Sequence, residues 1–486
     1  MRKLLTVGLT LGLAACSLQP VYQRPAAPVA GGFPAGAAYA PTPAGGKPAV
    51  EIGWRDFLAD PRLQRLVETA LENNRDLRVA ALKVRQVQAQ YRIQRSASLP
   101  SVAGFAGESA SRTPGKAPEM ARTYSTGVAA AWEIDFFGRL QSLSDAALQQ
   151  YFATVQARRA VEILLVSQVA DQYLTMLALD EHLAVTRRTL AAAQASYDIV
   201  RLRFDAGTGT ELALRQAQSV VEQSNADLAA GTRARAQAEN ALVLLLGQPL
   251  PPDLPPVIPL GEQQILAEIP AGLPSDLLER RPDILQAEAL LRSENADIGA
   301  ARAAFFPSIS LTGSLGSSSA TLDGLFGTGS LAWAFAPSIT LPIFEGGALQ
   351  SNLDVARIRK DIGIAQYEKA IQTAFREVAD GLAARGTYDD QLAAQERYTA
   401  TQQRSLELAE FRYRNGVDSY LEVLTAQTGL YGAQQALVTT RLQRLTNLVD
   451  LYRTLGGGWI EHTGDGCGGA LQKCNSQVSF PSGARS

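Results

Sequence analysis

The sequence predicts a mostly α fold with a β minority. Long antiparallel coiled-coil helices and a few strands are laid out twice along the chain. Three observations predict it. Arg139 to Ala206 is about 68 residues without Gly or Pro, far longer than an ordinary globular helix. Groups of residues recur at a shift of 209, the mark of a tandem duplication. Within each copy, two stretches alternate apolar with small or polar residues, the period of a strand.

The long stretch is built from Ala, Leu, Gln, Arg, Val and Glu, which lose least on becoming helical. Stepping by sevens from Leu148 gives Val155, Glu162, Val169, Met176, Leu183, Leu190, Tyr197 and Phe204. A seven-residue seam underwinds a helix and coils it left-handedly against its neighbours. At about 1.5 Å per residue the helix is roughly 100 Å long. No compact core accommodates that length; a fibrous stalk or the wall of a long tube does.

Residues 1–15 read as an export signal. Arg2 and Lys3 precede a short apolar run and small residues. The run ends in Leu13-Ala14-Ala15-Cys16, which resembles the lipobox of bacterial lipoproteins, where the Cys becomes the lipidated first residue. Ser17 then fits sorting to the outer membrane. Residues 16–50, rich in Pro, Ala and Gly, read as a lipid anchor and an extended leash. No other stretch reaches the ~18 apolar residues of a membrane helix.

Lys plus Arg number 45 against 47 Asp plus Glu, so no charge excess points to nucleic acid. Cys467 and Cys474 are left as an optional pair in the tail. His182 and His462 stand apart without Cys or carboxylate clusters, so neither a metal site nor a cofactor is expected.

The duplication divides the chain. Arg203-Phe204-Asp205-Ala206-Gly207 recurs as Arg412-Tyr413-Arg414-Asn415-Gly416, and Leu140-Gln141-Ser142 as Leu349-Gln350-Ser351. Leu99-Pro100-Ser101-Val102 matches Phe306-Pro307-Ser308-Ile309 at a shift of 207, so one loop differs by two residues. Repeat 1 is expected over residues 51–248, a Pro-rich connector over 249–274, repeat 2 over 275–458, and a Gly-rich tail over 459–486. Each repeat reads as a helix (about Leu63 to Ser98, and Ser275 to Phe305), two strands, the long helix, a tight turn at Gly207 or Gly416, and a returning helix. Gly363, Gly381 and Gly386 should make the second long helix less straight than the first.

Leu331, Trp333, Phe335, Ile339 and Leu341 alternate with Ala332, Ala334, Ala336, Ser338 and Thr340. Tyr124, Val128, Trp132, Ile134 and Phe136 do likewise, opposite Glu133 and Asp135. The strand at Ser308 alternates hydroxyls with aliphatics, and the one at Val102 is weaker. An apolar, aromatic-tipped face suits a sheet on a core or a barrel strand facing lipid. Four strands cannot close a membrane sheet, whose edges lipid cannot satisfy. Other copies must complete it; two give eight strands and a filled interior, three give twelve and room for a pore.

Together these features resemble the TolC-like outer-membrane ducts, in the lipoprotein branch typified by OprM. The residues that carry the resemblance are the lipobox at Cys16, Leu278-Glu279-Arg280-Arg281-Pro282-Asp283-Ile284, Tyr413 to Leu421, Ala426-Gln427 and Leu455-Gly456-Gly457-Gly458-Trp459. The resemblance implies a homotrimer with a helical tunnel continued by a 12-stranded outer-membrane β-barrel, four strands per chain. It implies a periplasmic adaptor and an inner-membrane pump, expected to be proton-driven, as partners. Outer-membrane lipid would hold the anchor and barrel, with a long periplasmic part. By the same resemblance the adaptor docks on the tips, at Gly207, Thr210, Glu211 and Leu212 and at Gly416, Ser419 and Leu421. Asp418 matches an acidic ring at the closed periplasmic aperture, with Arg412, Arg414 and Glu422 beside it. Arg281-Pro282-Asp283 is read as structural, Pro setting a helix start and Asp its N-terminus.

Three rival functions compete with this reading. No phosphate loop, Gly-x-Ser-x-Gly elbow or His-Glu-x-x-His is present, so no catalytic residue is assigned and an enzyme is not expected. A coiled-coil spacer lipoprotein explains Cys16 and the heptads but not the aromatic-faced strands. A duct for secreted polypeptides shares the whole fold; the lipobox and the turn at Asp418 favour the drug or metal efflux branch.

Overall fold

The computed structural model of the chain describes residues 18–39, 47–112, 120–266, 276–277 and 280–464. Cys16, Leu278, Glu279, Cys467 and Cys474 lie outside them. Two compact units are formed. One gathers the chain up to Ala27 with Ala81–Ala157 and Asp283–Ala370; the other gathers Pro28–Ala80, Arg158–Pro282 and the chain from Ile371 on. Each unit draws on both sequence repeats, because the long helices run from one unit into the other.

Repeat 1 begins with the short helix α1 (Trp54–Phe57), then α2 (Pro61–Asn73) and α3 (Arg75–Ser96). The single helix expected from Leu63 to Ser98 is therefore two. Asn74 breaks it with an extended backbone (ψ 131°). Its side-chain amide donates to the Leu245 carbonyl at 2.8 Å, and its Oδ1 accepts from the Leu77 N–H at 2.9 Å, capping α3. Strands β1 (Ser101–Arg112) and β2 (Met120–Ile134) follow, then the 67-residue helix α4 (Arg139–Asp205) and α5 (Glu211–Leu246). β2 stops short of the expected Phe136. Asp135 instead accepts from the N–H groups of Arg139 and Gln141, at 2.7 and 2.8 Å, and so starts α4.

Repeat 2 holds α6 (Pro282–Ala303), β3 (Ser308–Ser319), β4 (Leu331–Thr340), the 67-residue helix α7 (Ala348–Arg414) and α8 (Tyr420–Thr454). α7 is unbroken through its glycines. A Cβ at Gly363 would collide with Glu294, and one at Gly381 would press on Leu451. These glycines serve close helix packing. Among the described residues no helix is long and apolar enough to cross a membrane.

In the first unit the strands form one antiparallel sheet in the order β1-β2-β3-β4. The chain before it is a docked strap along α6, and not a free leash. The carbonyls of Leu18 and Pro20 accept from Arg302 and Asn295, at 3.1 and 2.7 Å. Arg24 then makes a two-pronged pair with Glu288 at 3.0 and 2.9 Å, joined by Tyr22 Oη at 3.2 Å and Arg292 at 2.8 Å. The Glu288 side chain is only 4% exposed. Its four charge-assisted or hydroxyl donors hold its carboxyl below the usual range despite burial.

In the second unit Phe57 stacks on Tyr452 with ring centres 4.0 Å apart, and Tyr452 Oη donates to the Ile52 carbonyl at 2.6 Å. A side chain at Gly457 would collide with the Tyr452 ring, which accounts for one of the three glycines after α8. The first residues of the tail are docked too: Trp54 and Arg55 donate their N–H groups to the carbonyls of Ile460 and Glu461. Arg281 is buried, with one guanidinium nitrogen on the Thr454 carbonyl and another on Glu377, both at 2.9 Å. Pro282 is the first residue of α6 and Asp283 lies in its first turn, so the Arg-Pro-Asp motif is a brace beside a helix start.

Candidate functional site

Two helical hairpins end the second unit, and both turns are made the same way. Gly207 adopts φ 74° and Gly416 φ 73°, a conformation open to glycine without strain. The N–H groups of Thr208 and Gly209 donate back to the Arg203 carbonyl at 2.9 Å, as Val417 does to Arg412 at 3.0 Å. Thr210 caps α5, its hydroxyl accepting from the Ala213 N–H at 3.2 Å. Ser419 sits at the N-cap of α8 without a side-chain bond.

An apolar cluster joins the hairpins. Val200, Ala217, Tyr420 and Val423 are its buried members, with Tyr197, Leu214, Leu406, Tyr413 and Leu424 packed around them. Arg203 lies 4.4 Å from the centre of the Tyr413 ring, which meets Tyr420 edge-on at 5.6 Å. A guanidinium over an aromatic face contributes about 0.5–2 kcal/mol at half-buried positions such as these. Periodicity does not single out this clasp, although the repeat carries a hint: Tyr413 stands where the first copy has Phe204.

Arg412 and Asp418 are paired across the second turn, Nε to Oδ2 at 2.5 Å and Nη2 to Oδ1 at 2.9 Å. The donated hydrogen bonds hold the Asp418 carboxyl below its ordinary value and the Arg412 guanidinium above its own. Arg414 is not part of that pair; it bonds Glu410 at 2.9 Å on the same helix. Glu422 lies in the first turn of α8. Of the residues expected at the adaptor-docking tips, Glu211 pairs with Arg215 at 3.3 Å, while Leu212 and Leu421 are exposed. Exposed Leu202, Phe411 and Val417 widen the apolar surface around both turns, a patch larger than isolated surface residues make.

The sheet of the first unit has two unlike faces. From the registers, Trp132, Leu311, Leu315, Trp333, Phe335 and Ile339 share one face. Trp333, Phe335 and Ile339 are 74, 63 and 71% exposed, which water penalises and lipid does not. The other face carries Ser, Thr, Ala and Gly; Phe105 and Glu133 are its exceptions among the described residues. It is hollowed, with a recess of about 290 Å³ lined by Ser101, Ala103, Ala129, Thr312 and Ala334 among others. Glu133 is neutralised by Arg139 at 2.8 Å. β1 and β4 each keep one edge unpaired within the chain.

The outer membrane efflux protein family model matches residues 66–248 and 273–457. Over 461 residues the chain is 48% identical to the toluene efflux pump outer membrane protein TtgC of Pseudomonas putida, spanning 93% of this chain and 94% of that one. Identity and coverage are the same for the antibiotic efflux pump outer membrane protein ArpC of Pseudomonas putida. Among solved structures, the open state of the Neisseria gonorrhoeae MtrE outer membrane channel is similar with a TM-score of 0.85. It is 41% identical and covers 92% of this chain and 100% of that one.

Proposed function

We propose a specific mode of action for this chain, which belongs to the outer membrane efflux protein family and is the outer-membrane channel of a tripartite efflux pump. The family fold is a trimeric channel, and such channels work with an adaptor and an inner-membrane pump. This chain conducts small apolar or amphipathic molecules passively, delivered by a proton-driven pump. It carries out no chemistry on them. Cys16 is lipidated, and outer-membrane lipid holds the anchor. The adaptor docks on the exposed residues around Gly207 and Gly416, and Asp418 with Arg412 lines the resting aperture.

The observation that carries this reading is the sheet: a hollow face of small uncharged residues, a lipid-suited aromatic face, and two open edges. The relatives' names, toluene and antibiotic efflux, favour small molecules over polypeptides as cargo. The test is disruption of the gene in its host, followed by dye accumulation. Ethidium should accumulate several-fold more in the disrupted strain. A protonophore should raise the parent to the same level and add nothing to the mutant. Unchanged accumulation, with a polypeptide lost from the medium, overturns efflux in favour of secretion.

A further inference from the structure

The internal duplication carries residue-level information about the seam between copies. Within one chain, repeat 1 meets repeat 2 where β2 pairs with β3. In a closed ring the only other kind of joint is β4 of one copy against β1 of the next. The two kinds of joint are built from corresponding strands, so the register of the first can be carried to the second.

The correspondence is set by the hairpins. β1 maps on β3 at a shift of 207, as Ser101 on Ser308. Ser101 pairs with Ala131, and Ser308 pairs with Thr340. Ala131 therefore corresponds to Thr340, a shift of 209. Gly138 and Gly347 keep that shift and both have positive φ, 71° and 89°. The β2–β3 joint pairs Ile134 with Ile309, Ala131 with Thr312 and Gly127 with Gly316.

We propose that copies join β4 to β1 in the matching register: Thr340 opposite the partner's Phe105, Ile343 opposite the partner's Val102, and Ala336 opposite the partner's Ser109. The proposal rests on the trimeric-channel reading and adds its joint.

Two further features of the sheet agree with it. First, the faces match. Thr340 and Phe105 both belong to the hollow small-residue face, whereas a slip of one residue would set the hollow face of one copy against the aromatic face of the next. Second, the exposed apolar residues at the strand ends line up on the aromatic face across the joint. Val102 is 70% exposed, Leu341 53% and Ile343 92%. β2 spans 15 residues and β4 only 10. The end of β2 at Ile134 corresponds to Ile343, so β4 lengthens by Leu341, Pro342 and Ile343 when the partner supplies an edge. Backbone groups left open in the single chain are then satisfied, as lipid requires.

The joint also gives Phe105 a place. It lies opposite Gly127 in its own chain. A Cβ at Gly127 would strike the β3 backbone, and one at Gly316 the β2 backbone, so the sheet is tightest there. At the joint Phe105 stands between Gly127 and the partner's Thr340, covering the seam from the hollow side.

Disulfide trapping tests this in full-length protein in outer-membrane vesicles, with Cys467→Ser and Cys474→Ser as background. One variant carries Phe105→Cys with Thr340→Cys, another Ala106→Cys with Ile339→Cys. Neighbouring pairs alternate in side-chain spacing, so at least one suits a disulfide. Oxidation should give a covalent trimer with one or both. Ala103→Cys or Gly107→Cys with Thr340→Cys, each displaced by two residues, should give none. An intact trimer on native gels that traps only through displaced pairs, or through no pair, overturns the register. Loss of the trimer in the background protein itself overturns the trimeric reading instead.

Discussion

Arg412 and Asp418 satisfy each other across the Gly416 turn through two hydrogen bonds, so the acidic residue matched to the aperture is neutralised within its own chain. Removing either partner has opposite electrostatic consequences. Asp418→Ala leaves an unpaired guanidinium; Arg412→Ala leaves an unpaired carboxylate. In planar bilayers Asp418→Ala should raise single-channel conductance about twofold or more and weaken block by divalent cations, while Arg412→Ala strengthens that block. Asp418→Asn keeps the volume and separates charge from size. Since the Asp418 pKa is depressed, the pair is complete above the ordinary carboxylate range and is lost as pH falls through the lower, folded value. Conductance and cation block at wild-type values in all three variants would remove this pair from the aperture.

Asp171 offers a pH test in the second unit. One of its carboxylate oxygens is buried without a partner. Burial first, and then Asp450 nearby, push its pKa from 3.8 up to about 7, against the pull of Arg453. Such a group binds a proton on folding between those two values. The protein should therefore lose stability as pH rises through that window and level off above it. Asp171→Asn should flatten the profile and gain roughly 1–3 kcal/mol at pH 8, where the charged form is most costly. Parallel pH profiles of apparent Tm for variant and parent would show that Asp171 is charged and solvated instead.

Arg281 should behave as a brace. Arg281→Ala strands Glu377 and leaves the Thr454 carbonyl without its donor. The expected loss is about 2–4 kcal/mol, read as a lower apparent Tm. Arg281→Lys should recover only part, because one ammonium nitrogen replaces the two separate guanidinium nitrogens that reach Thr454 and Glu377. A Lys variant equal to the parent, or a silent Ala variant, would contradict the brace.

Glu288 should hold the strap. Glu288→Ala releases Arg24 and Tyr22, and limited proteolysis of purified protein should then cut between residues 18 and 27 several-fold faster. Glu288→Gln keeps the shape but not the charge and should fall between. Equal cleavage rates for all three proteins would mean the strap is held elsewhere.

Cys16→Ser should abolish labelling by a fatty-acid probe. The trimer should still form, because the strap and the sheet edges do not depend on the lipid. Normal labelling of the variant would dispose of Cys16 as the anchor.

The sequence by itself determined the long helices, the glycine turns, the duplication and the count of strands. Those properties are local or periodic. A heptad seam, a Gly needed for positive φ and an alternation of Trp with Ala are each legible within a window of a few turns or residues. Even the two hairpin tips could be located from Gly207 and Gly416 alone. Tertiary structure decided what depends on partners far along the chain. Asn74 breaks a helix because it meets Leu245, 171 residues away. Tyr22 and Arg24 become a strap because Glu288, over 260 residues on, needs donors where water is excluded. Asp418 chose Arg412 over Arg414 for a rotational reason: positions two apart on a helix point to different sides, and only the φ of Gly416 turns the chain back toward one of them. Periodicity says which face a residue occupies; only packing says what waits on the other side.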